Sequence, residues 1–166
     1  LGSNPNSTEN FCVTASGVLG YSMERYSSID EVANDPNLDF VIVATPPNAR
    51  FEIIQALSAT GKPILMEKPV ERTLAAAEQL CELCETRTVP FGIVLQHRAR
   101  PSAVALQEVL KQQEFGSLSL AEISVPWWRD QAYYDVPGRG TYARDGGGVL
   151  INQAIHTIDL ALQFTG

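Results

Sequence analysis

Lys62-Pro63-Ile64-Leu65-Met66-Glu67-Lys68-Pro69 decides how this chain is read. Ile64, Leu65 and Met66 form an apolar run too short for a helix. Bounded by turn signals, such a run predicts a strand buried on both faces of a parallel sheet. Pro69 has no N–H to give to a ladder, so the strand ends at Glu67-Lys68. Two opposite charges then stand at the carboxyl edge of a parallel strand, where open α/β sheets bind ligands. Taken alone, the tripeptide is equally a surface ion pair that caps a strand.

Working outward, Asp39–Thr45 is β-branched and apolar, and Pro46-Pro47 ends it. It predicts a second buried parallel strand, and Pro90–Gln96 predicts a third. Between them, Asn48 is placed to cap a helix reaching Thr60, with Phe51, Ile54 and Leu57 on one face and Gly61 as its stop. Thr73 is placed to cap a helix to about Arg87. This alternation predicts a parallel sheet with helices on its faces. Three strand ends then meet at one edge: Thr45-Pro46-Pro47-Asn48, Glu67-Lys68-Pro69 and Gln96-His97-Arg98.

The flanks are plainer. Residues 1–8 are turn chemistry, 8–19 a weak helix, Tyr21–Ser27 a short strand and Asp30–Asn34 one helical turn. After Pro101 the pattern predicts a helix to about Gln113, then a strand over Ser117–Trp128. An aromatic, arginine-containing loop follows through Tyr134, and Pro137-Gly138-Arg139-Gly140 is a turn. Asp145-Gly146-Gly147-Gly148 leads into a last helix, Val149–Phe164.

The 166 residues are 45% hydrophobic and 19% charged, as in a soluble globular protein. A formal net charge of −7 argues against unassisted binding to nucleic acid or to an anionic membrane. No apolar run reaches the ~20 residues of a membrane span. The three cysteines do not suggest a disulfide framework. Cys81 and Cys84 form a C-x-x-C, but with Leu74 and Ala77 they follow helical spacing and are read as core, and no metal is expected.

On the last helix, Asn152, His156, Asp159 and Gln163 form a polar stripe at four-three-four spacing. A solvated face would explain it. A site would too, because the stripe lacks Lys, Arg and Glu, and the preceding glycines let a backbone or ligand approach closely.

The strand end Ala44-Thr45-Pro46, then Glu67-Lys68-Pro69, then Gly146-Gly147-Gly148-Val149-Leu150-Ile151-Asn152-Gln153-Ala154-Ile155-His156 occur in that order. Together they resemble the Gfo/Idh/MocA oxidoreductases, which include glucose–fructose oxidoreductase and inositol dehydrogenase. The resemblance implies a partial dinucleotide-binding domain over residues 1–96 and the beginning of an α/β substrate domain over 97–166. The expected fold is therefore α/β: a Rossmann-type parallel sheet lacking its first strand, followed by part of a second domain.

Carried over by position, Thr45, Pro46, Asn48, Glu67, Lys68 and Gln96 would bind NAD or NADP. Lys68, Arg98, Arg139, Asn152 and His156 would face a sugar or polyol, with Trp128 the weakest candidate. Lys68 and His156 would be catalytic: the ammonium stabilises an alkoxide and the imidazole takes its proton. His97 is read as a loop residue without a catalytic role. Relatives often carry Asp where this chain has Asn152, and an amide cannot serve as a base, though it can hydrogen-bond the substrate or orient His156. No G-x-G-x-x-G follows a strand, and Gly17-Val18-Leu19-Gly20 does not supply one. The chain is thus expected to be an internal fragment of a longer enzyme, impaired by itself. The absence of an acid at Gly2-Ser3-Asn4 leans toward NADP. The resemblance also implies a cytoplasmic enzyme that forms homo-oligomers at full length. A redox glycosidase and a non-catalytic cofactor-binding regulator share the architecture and are the alternatives.

Overall fold

The computed structural model describes every residue except Ser3 and Glu114. The lean toward NADP rests partly on Ser3 and lies outside the described residues. Helix α1 (Pro5–Leu19) starts a turn earlier than expected, because Asn4 caps it and Pro5 suits its first position. Helix α2 (Ile29–Asn34) is capped by Ser28. Strands β1 (Val41–Val43), β2 (Ile64–Glu67) and β3 (Phe91–Val94) are parallel, in the order β1-β2-β3. Val43 pairs with Met66, and Glu67 with Val94, so the three strands end within one residue of one another.

Helices α3 (Arg50–Ala59) and α4 (Leu74–Thr86) fill the crossovers between the strands. Thr73 caps α4 through its side chain, and Gly61 takes φ +73° after α3. Asn48 makes no cap; it lies exposed in a 3₁₀ turn, Pro47–Ala49. Ile54, Leu57, Met66 and Leu80 are fully enclosed and form the centre of the core with Val43, Ile64 and Cys84. Cys84 belongs to that core and Cys81 is half-buried, whereas Leu74 is exposed. Phe51 also points outward, so the inner face of α3 is Arg50, Ile54 and Leu57. Burial on both sheet faces does not hold either: Ile42 is 59% exposed.

Helix α5 (Pro101–Gln112) follows, then two short helices, α6 (Gln131–Tyr134) and α7 (Tyr142–Asp145). The expected strands over Tyr21–Ser27 and Ser117–Trp128 do not form. Neither stretch has a ladder partner among the described residues, and an extended segment without one is not a strand. The last helix is also not uniform. Residues Leu150–Ala154 make a π-helical turn before α8 (Ile155–Thr165). No helix among the described residues is long and apolar enough to cross a membrane.

Candidate active site

The level strand ends open into a cleft of about 240 Å³. Thr45 and Pro46 line it from β1, Glu67, Lys68 and Pro69 from β2, and Arg144, Asp145 and Asn152 from the glycine-rich segment. Residues far apart in sequence are joined there by one bond: Lys68 Nζ donates to the Asn152 carbonyl oxygen at 2.8 Å. Burial pushes the Lys68 ammonium down from its ordinary value, and Arg50 adds to this, while Glu67 and Asp145 oppose it. Thr45 Oγ1 is buried with no hydrogen-bond partner among the described residues.

Arg50 forms the floor, and sequence reading missed it. Its side chain is buried, with Nε donating to Thr45 O at 2.9 Å and Nη2 to Lys68 O at 3.4 Å. Nη1 donates to Pro69 O. One guanidinium fork thereby satisfies carbonyls at the ends of β1 and β2. A signal was present: Arg50 is in phase with Ile54 and Leu57 on the buried face of α3.

Gly146 and Gly147 permit close packing, as expected. Gly146 has φ +83°, and a Cβ there would lie 2.8 Å from Arg72 Cα. Arg72 also donates from Nη1 to Ala143 O at 2.7 Å, fixing α7 to the segment after β2. The Asn152 amide does not turn to His156. Its Nδ2 donates to Gly147 O at 2.7 Å and Gly148 O at 3.1 Å, closing the loop on itself.

The stripe on α8 is an inner face, which removes the solvated-face alternative. His156 and Asp159 are buried, and Gln163 Nε2 reaches Gln107 Oε1 of α5 at 2.8 Å. Asp159 accepts from Arg98 Nε at 2.7 Å and also from Nη2. This pair engages the Arg98 guanidinium and holds α8 against the 3₁₀ turn Gln96–Ala99.

His97 lies in that turn, as expected of a loop residue, and is buried there. Its ring stacks on His156, with centroids 4.5 Å apart and planes at 29°, and Trp127 meets it edge-on at 6.4 Å. Burial chiefly holds the His156 imidazole below its ordinary value, followed by His97 and Lys68. Its Nδ1 is buried with no partner among the described residues.

The remaining expected residues stand apart from the cleft lining. Gln96 and Asn48 are exposed, as is Trp128. Arg139 donates to Tyr133 O at 2.9 Å and lies 4.5 Å over the Tyr133 ring. Tyr133 Oη in turn accepts from Gln153 Nε2, beside Asn152. No group of metal-ligating side chains occurs among the described residues.

A family model described as an oxidoreductase family with an NAD-binding Rossmann fold matches residues 3–94. A second, described as the GFO/IDH/MocA C-terminal domain, matches residues 103–166. An uncharacterized oxidoreductase of Schizosaccharomyces pombe is 30% identical over 139 residues, which are 81% of this chain and 37% of that protein. The myo-inositol 2-dehydrogenase of Thermotoga maritima is 26% identical over 143 residues, covering 86% of this chain and 41% of the enzyme. Among solved structures, the WlbA dehydrogenase of Bordetella pertussis, in complex with NADH and UDP-GlcNAcA, superimposes with a TM-score of 0.83 at 25% identity. That match covers 99% of this chain and 49% of WlbA, so the chain spans less than half the length of each of these relatives. With both parts matched in order along its length, the chain belongs to the Gfo/Idh/MocA oxidoreductase family.

Proposed function

We propose that the whole protein carrying this sequence oxidises a sugar, polyol or related cyclic alcohol with NAD or NADP. The observation that carries this reading is the cleft in which Thr45, Glu67 and Lys68 at the strand ends meet the Asn152 segment. The unpartnered Thr45 Oγ1 fits a polar ligand arriving at that edge. Thr45, Pro46, Glu67 and Lys68 would hold the nicotinamide end, with Asn48 and Gln96 at its margin. A nicotinamide dinucleotide supplies the hydride acceptor when bound.

The chain's own residues account for the rest. The Lys68 ammonium, already turned toward the Asn152 carbonyl, stabilises the alkoxide as a substrate hydroxyl loses its proton. The neutral His156 imidazole takes that proton. Arg98 and Arg139 act from the substrate side, in the part spanning residues 97–166. Asn152 serves through its backbone carbonyl and by closing the glycine loop. The myo-inositol enzyme and the UDP-GlcNAcA complex among the relatives support a hydroxylated cyclic substrate.

The test is a titration of the whole protein with NADH and NADPH, read by nicotinamide fluorescence. A panel of sugars and polyols follows, with product analysis to separate net oxidation from glycoside cleavage. Saturable binding with alcohol-dependent reduction of the oxidised cofactor supports the reading. Binding of neither cofactor overturns it.

A further inference from the structure

The family match does not account for His97. A lone histidine in a turn after a strand has no need to be buried, yet this one stacks on His156 and is closed at its edge by Trp127. Two imidazolium ions 4.5 Å apart in a buried site repel each other strongly, because little water stands between them. The neighbours add to the effect. From the end of β2, the Lys68 ammonium bears on His156, and Glu67 opposes it. Asp159, on the same helix, also opposes it, although its carboxylate is bound to Arg98. Arg100 acts on His97, and Arg129 stands 5.8 Å over the Trp127 ring.

We propose that His97 is a positioning residue for His156: the stack fixes the plane of the His156 ring, and the pair carries one positive charge at a time. With both rings neutral, His156 is free to accept the proton of a substrate hydroxyl, whereas a proton already on His97 bars that transfer. This rests on the reading of His156 as the acid/base. Phenylalanine at this position would keep the stack and the edge contact with Trp127 but carry no charge, so it separates the electrostatic role from simple packing.

Proton NMR of the ring C–H resonances of His97 and His156, assigned in the whole protein by selective labelling, follows both directly. In the unaltered protein each resonance should show a second inflection at its partner's midpoint, as coupled sites do. In His97→Phe the His156 resonance should keep one inflection, moved to higher pH. The acid limb of kcat/KM for alcohol oxidation should rise with it, while KM above that limb stays unchanged. Independent single inflections in the unaltered protein, or an unmoved His156 in the variant, overturn the proposal. The unaltered protein decides the point even where His97→Phe does not fold. Coupled inflections in a protein that oxidises no alcohol overturn the functional reading alone and leave the pairing standing.

Discussion

Lys68 Nζ and the backbone carbonyl of Asn152 lie 2.8 Å apart across 84 residues of sequence. That bond holds the ammonium at the cleft while leaving its other protons for a substrate oxygen. Lys68→Met should therefore lower kcat for alcohol oxidation by about 10²–10³-fold, the cost of removing one donor to a developing oxyanion. Steady-state kinetics of the whole protein checks this, with folding verified by circular dichroism. A kcat within a factor of about two of the unaltered enzyme would remove Lys68 from the chemistry.

His156→Asn should lower kcat/KM by about 10²–10⁴-fold, the usual worth of a positioned base. The pH dependence has a definite sign. A base must be neutral, and burial holds this imidazole below its ordinary value. Activity should persist below the ~6.5 of a free histidine and fail only as the pH drops through the lowered value. An acid limb centred above that range would contradict the assignment.

Stability should follow the same direction. His97 and His156 both resist protonation when folded, chiefly through burial. Below ~6.5 the unfolded chain takes up protons that the folded chain refuses. The stabilisation is complete above the unfolded value and is lost as the pH falls through the folded values. Urea midpoints at a series of pH values, compared with His97→Phe, should show the variant losing less.

Arg50→Met leaves three carbonyl oxygens without their donor at the level strand ends. Each unsatisfied buried acceptor costs about 1–3 kcal/mol, so the variant should lose at least ~2 kcal/mol in urea unfolding. Arg50→Lys keeps the charge but not the planar fork and should recover only part of that. Cofactor affinity should fall in both, because Thr45 and Lys68 lose a common anchor.

Gly146→Ala and Gly148→Ala make a matched pair. At Gly146, φ is +83° and a Cβ would meet Arg72 Cα at 2.8 Å. At Gly148, nothing lies within 4 Å of that position. The first should cost more than ~1 kcal/mol of stability, and the second should stay within ~0.5 kcal/mol. Equal losses would mean that the loop does not rest on Arg72.

The strands were legible as short apolar, β-branched runs, two of them closed by proline, as in Ile64–Pro69 and Asp39–Pro47, although the expected cover on both faces is absent at Ile42. Thr73 was legible as a cap for the same local reason. Ser117–Trp128 was not, since alternation says only that a segment suits a sheet, and pairing depends on a neighbour. Thr45, Glu67 and Lys68 could be placed near one another from the strand ends, whereas Asn152 joined them only through the resemblance to the family. Arg50 was hidden because a charged residue among apolar ones invites the reading that it points outward. The stacking of His97 on His156 depends on how the turn after β3 meets α8, which no local pattern encodes.

The segment from Lys68 to Arg72 holds the glycine-rich loop at two points: through Lys68 to Asn152, and through Arg72 to Ala143 with Gly146 resting on its backbone. A loop tethered once can swivel about its tether; a loop tethered twice to the same short stretch cannot. The mouth of the cleft is therefore gauged by five consecutive residues after one strand.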